Sequence, residues 1–219
     1  MARRAATRTP EAVLRDTPRQ EFRQQRSRRS YQALLDAATE LFARHGYDAV
    51  GSPEIAEEAG VAVGTFYRYF ADKHEIYLEI MRRMMISAYD QTIARLTPER
   101  FVGKARHETI SEAVGVMFEH VLSRPQLTRS FMEMSLRDPQ VAELRRAFEQ
   151  LGCHQLSALI AAVTPRDDVP DPDAYAYVLY GAAMQCAYGL AVHLVPVAID
   201  RDRARAVLTA LIERVLFPA

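Results

Sequence analysis

Residues 52–73, S-P-E-I-A-E-E-A-G-V-A-V-G-T-F-Y-R-Y-F-A-D-K, decide how this chain is read. The stretch predicts two short helices joined by a tight turn, with a third helix beginning at once. Ser52 is expected to N-cap the first helix, Pro53 fits its N1 position, and Glu54 suits the positive end of the helix dipole. Gly60 then supplies the left-handed residue that stops it. The second helix runs roughly from Val63 to Tyr69, and Asp72 with Glu75 forms a capping box that opens the third. On the middle helix Phe66, Tyr69 and Phe70 share one face by their i, i+3, i+4 spacing. Gly64, Thr65 and Arg68 lie towards the other side, with Tyr67 between the two. A short helix with an apolar back and a small, hydroxylated, basic and aromatic front is suited to being pressed against a polar surface. In a helix-turn-helix that surface is DNA.

Upstream, Tyr31, Leu34, Leu35, Ala38, Leu41 and Phe42 mark one helical stripe between Ser27 or Ser30 and His45, and Gly46 ends it. Arg28 and Arg29 stand at the start of that helix, where arginine opposes the dipole, so a backbone phosphate is a better reason for them than helix stability. Residues 1–26 mix Arg, Thr, Pro and Gln with few large apolar side chains and read as a mobile arm. The arm is either a solvated tail or a source of phosphate and minor-groove contacts.

Downstream every strong signal is helical. Ile76, Ile80, Met84 and Ile93 run along a helix from Asp72 to about Leu96, which Thr97-Pro98 closes. Further helices are expected from about His107 to Ser123, from Pro125 onward, and after the Asp138-Pro139 cap as far as about Val163. Asp171-Pro172 repeats that cap and opens an apolar helix to about Val195, and Asp200 caps the last, which ends near Phe217. The expected fold is all-α, with about nine helices. Its organisation is a basic arm (1–26), a three-helix helix-turn-helix domain (27–75) and a helical domain (76–219).

Bulk charge names no partner, because 28 basic residues balance 28 acidic ones. Its distribution is more informative: residues 1–30 hold nine arginines against three carboxylates, so the positive excess sits in the arm. Cys153 and Cys186 lack metal-type spacing and suit a reduced compartment. His120 and His154 form no metal-binding pair, and neither a metal nor a cofactor is expected. No apolar run reaches the ~18–20 residues that span a bilayer, so a soluble cytoplasmic protein without a membrane partner is expected.

The run A-G-V-A-V-G-T-F-Y-R-Y-F-A-D-K, flanked by the right helices over roughly residues 30–77, resembles the DNA-binding signature of the tetracycline-repressor (TetR) family of transcriptional regulators. The resemblance implies DNA contacts from Ser52, Val63, Gly64, Thr65, Tyr67, Tyr69 and Lys73. Arg68 holds a variable position suited to a guanine or a phosphate, and Arg28 and Arg29 complete the candidate set. Two departures stand out: Ala62 replaces the usual Ser or Thr cap of the recognition helix, and Pro53 replaces a residue that reads a base in some relatives.

The helix after Asp171 is apolar nearly all round, and the last helix carries a broad apolar stripe. They can pack as a two-layer core or meet their copies in a four-helix bundle. The resemblance favours a homodimer, with Ala183, Ala187, Ala191, Leu208, Leu211 and Val215 as candidate interface residues. It also implies a small-molecule site in the same domain. Met117, His120, Phe131, Met134, His154, Tyr177, Tyr180 and Met184 are its candidate lining, although Met and aromatic residues at helical spacing are also ordinary core. The expectation is a ligand-responsive repressor released from a palindromic operator by a mostly apolar effector. The alternatives are a DNA-binding regulator without an effector and, from other classes, a ligand carrier or an enzyme. No catalytic motif supports the enzyme, and a carrier has no use for the Thr65–Arg68 face.

Overall fold

The computed structural model describes residues 9–15, 25–101, 105–192 and 199–218. Among them are ten α-helices and no strand. In chain order these are α1 (Pro10–Arg15), α2 (Gln25–His45), α3 (Ser52–Glu58), α4 (Val63–Tyr69), α5 (Lys73–Gln91), α6 (Ala105–Leu122), α7 (Pro125–Arg137), α8 (Pro139–Val163), α9 (Pro172–Val192) and α10 (Arg201–Leu216). Two turns of 3-10 helix, Ile93–Arg95 and Pro98–Phe101, connect α5 to α6.

The tenth helix is α1, inside the segment read as an arm. Thr9 starts it: its hydroxyl accepts from the Ala12 N–H, and Pro10 follows in the first turn. Leu14 is fully enclosed and joins the same apolar cluster as Leu144 and Ala147 of α8. Composition misses this helix because its apolar content is only Ala12-Val13-Leu14. The rest of the arm, residues 1–8 and 16–24, lies outside the described residues. So does 193–198, which takes in the expected end of the long helix at Val195.

Local chemistry explains the boundaries. Gly60 adopts φ +64°, its N–H bonds to the Glu57 carbonyl, and the Val61 N–H reaches back to Ala56. That pair of bonds is a Schellman motif, which needs a left-handed residue at Gly60. The opening of α3 differs from expectation. Its N-cap is Gly51, whose N–H donates to the Glu54 carboxylate at 2.6 Å. Ser52 is therefore N1 and Pro53 N2. The Asp72 carboxylate accepts from the Glu75 N–H as expected, while Glu75 returns to the N–H of Ala71. Asp138, Asp171 and Asp200 each accept from a first-turn N–H of α8, α9 and α10.

Helices α2 to α4 pack around Phe42, Ile55 and Phe66, which have no exposed surface. The same apolar cluster continues through Ile76 and Tyr77 of α5 into Leu127 and Phe131 of α7 and Leu144 of α8. A second cluster joins α6, α9 and α10 around Phe118, Ala187 and Leu208.

Candidate nucleic-acid interface and internal cavity

Helix α4 has two faces. Phe66, Tyr69 and Phe70 are buried against Tyr31 of α2, with Tyr31 stacked on Phe70 at 5.2 Å between ring centroids. Val63, Gly64, Tyr67 and Arg68 are exposed, Tyr67 at 54 %, and Thr65 is half-buried. The N-cap is Ala62, and no side chain caps the helix. The Arg68 guanidinium lies over the Tyr69 ring at 5.6 Å. Arg28 and Arg29, on the first turns of α2, are exposed as well.

Three expected DNA contacts are engaged inside the protein. The Lys73 ammonium donates to the carbonyls of Tyr47 (3.1 Å), Asp48 (3.3 Å) and Val50 (2.9 Å), and sits over the Tyr47 ring. An ammonium has three donors, so none is left for a phosphate; Lys73 closes the turn between α2 and α3. The Tyr69 hydroxyl donates to the Ser27 carbonyl and ties α4 to the start of α2. Ser52 is buried at N1.

The unit carrying α4 is fastened to the core mainly through α7. Arg137 makes two 2.8 Å bonds to the Asp48 carboxylate. Tyr77 and Ser130 pair through their hydroxyls, and Arg124 pairs with Glu40 of α2 at 3.0 Å. His74 Nε2 lies 3.0 Å from Asp138, the residue between α7 and α8. On α5, buried Glu79 holds Arg83 at 2.7 Å and accepts from the Tyr31 hydroxyl. Burial, followed by the Glu79 charge, pushes the Tyr31 hydroxyl up to about 12. The cluster has a signal in the sequence: Arg82 and Arg83 stand three and four residues after a glutamate set in an apolar stripe.

A cavity of about 710 Å3 lies behind α7. It is bounded by α2, α5, α6, α7, α8, α9 and α10, and its wall is mostly hydrocarbon. Met117, His120, Phe131, Tyr180 and Met184 belong to the wall as expected. Three candidates do not. Met134 is packed in the cluster shared with the α4 unit, where its sulfur accepts from Arg137. His154 and Tyr177 are exposed on the outer faces of α8 and α9, Tyr177 at 73 %. Leu35 and Thr39 from α2 and Met81, Met84 and Met85 from α5 also belong to the wall and were not among the candidates. Those residues belong to stripes that a sequence assigns to helix packing.

Burial also corrects the expected dimer residues. Ala183, Ala187, Ala191 and Leu208 are enclosed within the protomer, against α6. Their small size lets α9 approach its own neighbours. The exposed apolar residues are instead Tyr177 and Val178 on α9, and Val207, Leu211 and Val215 on α10. Leu211 and Val215 alone remain from the original set.

Among the described residues no helix is long and apolar enough to cross a membrane, and no group of three or more His, Cys, Asp or Glu side chains could hold a metal ion. Residues 34–80 match the family model described as bacterial regulatory proteins, tetR family. The HTH-type transcriptional activator FasR of Mycolicibacterium smegmatis is 33% identical over 113 residues, 50% of this chain and 48% of that protein. This chain spans about half or less of the length of the curated relatives it matches first. The fold is similar to that of a Mesorhizobium loti chain assigned to the TetR family, with TM-score 0.69 and 22% identity over 88% of this chain and 98% of that one. It is also similar to a transcriptional regulator from Saccharomonospora viridis in complex with choline, with TM-score 0.66 and 22% identity over 86% and 97%.

Proposed function

We propose that this chain, whose residues 34–80 match the tetR family of bacterial regulatory proteins, is a homodimeric DNA-binding transcriptional repressor controlled by a small molecule. The observation that carries the reading is the two-faced α4: a back fixed by Phe66, Tyr69 and Phe70, and a front of Val63, Gly64, Tyr67 and Arg68 left to the outside. A helix fixed this way can enter a major groove without rearranging, and two copies in a dimer would read half-sites about one helical turn apart. Tyr67 and Thr65 suit phosphate contacts, and Arg68 suits a guanine or a phosphate. Arg28 and Arg29 would add phosphate neutralisation and salt dependence.

A second copy is the occupant proposed for the exposed apolar stripes of α9 and α10. Both helices present large hydrocarbon side chains to water, and a two-fold axis would let each stripe cover its counterpart.

The cavity supports effector control over constitutive binding. A ligand pressing on Phe131 or Leu127 acts on α7, the helix that holds the DNA-binding unit through Arg137, Ser130 and Arg124. Tilting α7 would change the separation of the two recognition helices. Helix α5, whose Ile76 and Tyr77 carry the apolar cluster of the α4 unit into the core, would be a second link. The coupling required is modest, about 1–3 kcal/mol.

The test is to select an operator from a random duplex library and to measure binding by gel shift at several salt concentrations. Tyr67→Ala is expected to weaken operator binding about tenfold or more, in line with the roughly 1–3 kcal/mol of a good contact. Unchanged affinity with an unchanged salt slope would remove α4 from the interface.

A further inference from the structure

Five buried side-chain polar atoms lack a hydrogen-bond partner among the described residues, and two of them, His120 Nε2 and Tyr180 Oη, belong to residues of the cavity wall. Tyr180 is 9 % exposed and comes from α9, while His120 comes from the last turn of α6. A buried hydroxyl without a partner is costly, of the same order as a lost hydrogen bond. Its position is nonetheless firmly set. Any side chain at Gly152 of α8 would place a Cβ 2.9 Å from the Tyr180 ring, so α8 makes room for that ring by carrying none.

Three threonines of the wall are already engaged. The hydroxyls of Thr39, Thr92 and Thr128 donate to the carbonyls of Leu35, Ala88 and Val121. The wall's four charged residues, Asp36, Glu40, Arg83 and Arg124, all come from α2, α5 and α7, and each has a partner. Asp36 accepts from Gln32, Glu40 pairs with Arg124, and Arg83 pairs with Glu79. Glu40, Arg83 and Arg124 are also between 41 and 56 % exposed, which places their charges in water at the rim. Burial lowers the His120 pKa, keeping the ring neutral at pH 7, and burial raises that of Tyr180 so that its hydroxyl stays protonated. An ion carried into the interior would meet no counter-charge, and an unpaired charge in hydrocarbon is heavily penalised.

We infer that the ligand of this cavity is uncharged: a mainly hydrocarbon molecule with one or two hydroxyl or carbonyl oxygens that bond to Tyr180 Oη and His120 Nε2. This deepens the effector reading and rests on it. A carboxylate does not fit, because it would need a cation at depth, and a quaternary ammonium would have only the ring faces of Phe131, Tyr180 and Tyr188 in place of a counter-charge. The main rival is an anionic amphiphile whose head stays at the rim, displaces Glu40 and pairs with Arg124.

Three probes of equal chain length separate the possibilities: 1-decanol, decanoate and decyltrimethylammonium, each below its micelle concentration, titrated by displacement of a fluorescent apolar dye from the full chain. Decanol is expected to bind at least tenfold more tightly than either ion. Tyr180→Phe should weaken decanol about five- to tenfold while the free variant melts no lower than the wild type, since it removes an unpartnered hydroxyl. His120→Leu is expected to weaken decanol similarly, and Arg124→Gln to leave it unchanged. Decanoate binding as tightly as decanol, with its affinity falling on Arg124→Gln and not on Tyr180→Phe, would overturn the inference in favour of the rim anion. Tighter binding of decyltrimethylammonium would overturn it in favour of a cation. The operator gel shift is read separately. If decanol behaves as expected and no duplex is selected, the regulator fails and the cavity assignment stands. If operator DNA binds and decanoate releases it while decanol does not, the regulator stands and the uncharged ligand fails.

Discussion

In the unit built from α2, α3 and α4, Phe42, Ile55 and Phe66 are fully enclosed, and Val63, Gly64, Tyr67 and Arg68 of α4 stand on the outer surface. In the core the arrangement is inverted: the outer faces of α9 and α10 carry hydrocarbon, and the inside holds about 710 Å3 of space, two of whose lining residues, His120 and Tyr180, carry a buried polar atom without a partner. The first region has to present a fixed surface, so its interior is closed and its short helix is pinned from behind. The second has to accept a guest, so its interior cannot close. Dense packing in one and slack in the other are two requirements on one chain, and they meet along α7.

The largest expected effect tests that contrast directly. Phe66→Ala should destabilise the protein by about 3–5 kcal/mol in a urea melt, the usual cost of emptying an aromatic site in a closed core. Met117→Ala, in the cavity wall, should cost less than about 1 kcal/mol, because a side chain facing a void has fewer neighbours to lose. Similar costs at the two positions would mean that the core is as tightly packed as the α4 unit. The contrast would then fail.

A second variant sharpens the division between surface and interior. Lys73→Met should lower stability by about 2–3 kcal/mol, since a charged donor to three carbonyls is removed and the Tyr47, Asp48 and Val50 oxygens lose their partner. At a temperature where both proteins are folded, operator affinity should change less than it does in Tyr67→Ala. A Lys73→Met variant with unchanged melting and strongly reduced DNA binding would return Lys73 to the interface.

What the sequence made legible follows the range of the forces involved. The α3–α4 turn, the Gly60 stop and the Asp-Pro openings of α8 and α9 are set by residues within four positions of one another, and each was readable. Ser52 was misplaced by one position because Gly51 and Glu54 cap the helix between them, an arrangement no side chain on Gly51 announces. The inward contacts of Lys73 were hidden for a different reason: its partners lie 23 to 26 residues upstream, a separation at which spacing says nothing. The cavity was half legible. Met117, Phe131 and Tyr180 have the right chemistry, but Tyr177 has the same chemistry and points outward. Two tyrosines three residues apart on an all-apolar helix cannot be told apart until the neighbours of that helix are known. The alanines of α9 failed on the same ground: smallness permits close packing without saying whether the partner is the same chain or another.

The smallest predicted effect lies at the junction of the two regions. Asp138 caps α8 through the N–H groups of Gln140 and Val141 and faces His74 of α5 at 3.0 Å. Burial opposes its ionisation, but the Val141 N–H and the His74 charge outweigh that, and its pKa falls below the ordinary carboxylate value. A carboxylate depressed in the folded state contributes stability above its unfolded pKa of about 3.9 and loses it as pH falls through the folded value. Asp138→Asn, which keeps a good capping side chain, should therefore flatten the acid limb of the stability curve below about pH 4. The loss at pH 7 should be about 1 kcal/mol or less, since the asparagine keeps the cap and the pair is only partly shielded from water. The same titration tests whether the regions are one cooperative body. If tyrosine fluorescence and helical circular dichroism lose their signals at the same pH, α7 holds the DNA-binding unit and the core together until both unfold. If the two transitions separate, the fastening through Arg137, Ser130 and Asp138 is weaker than either region, which is the condition a ligand in the cavity would exploit.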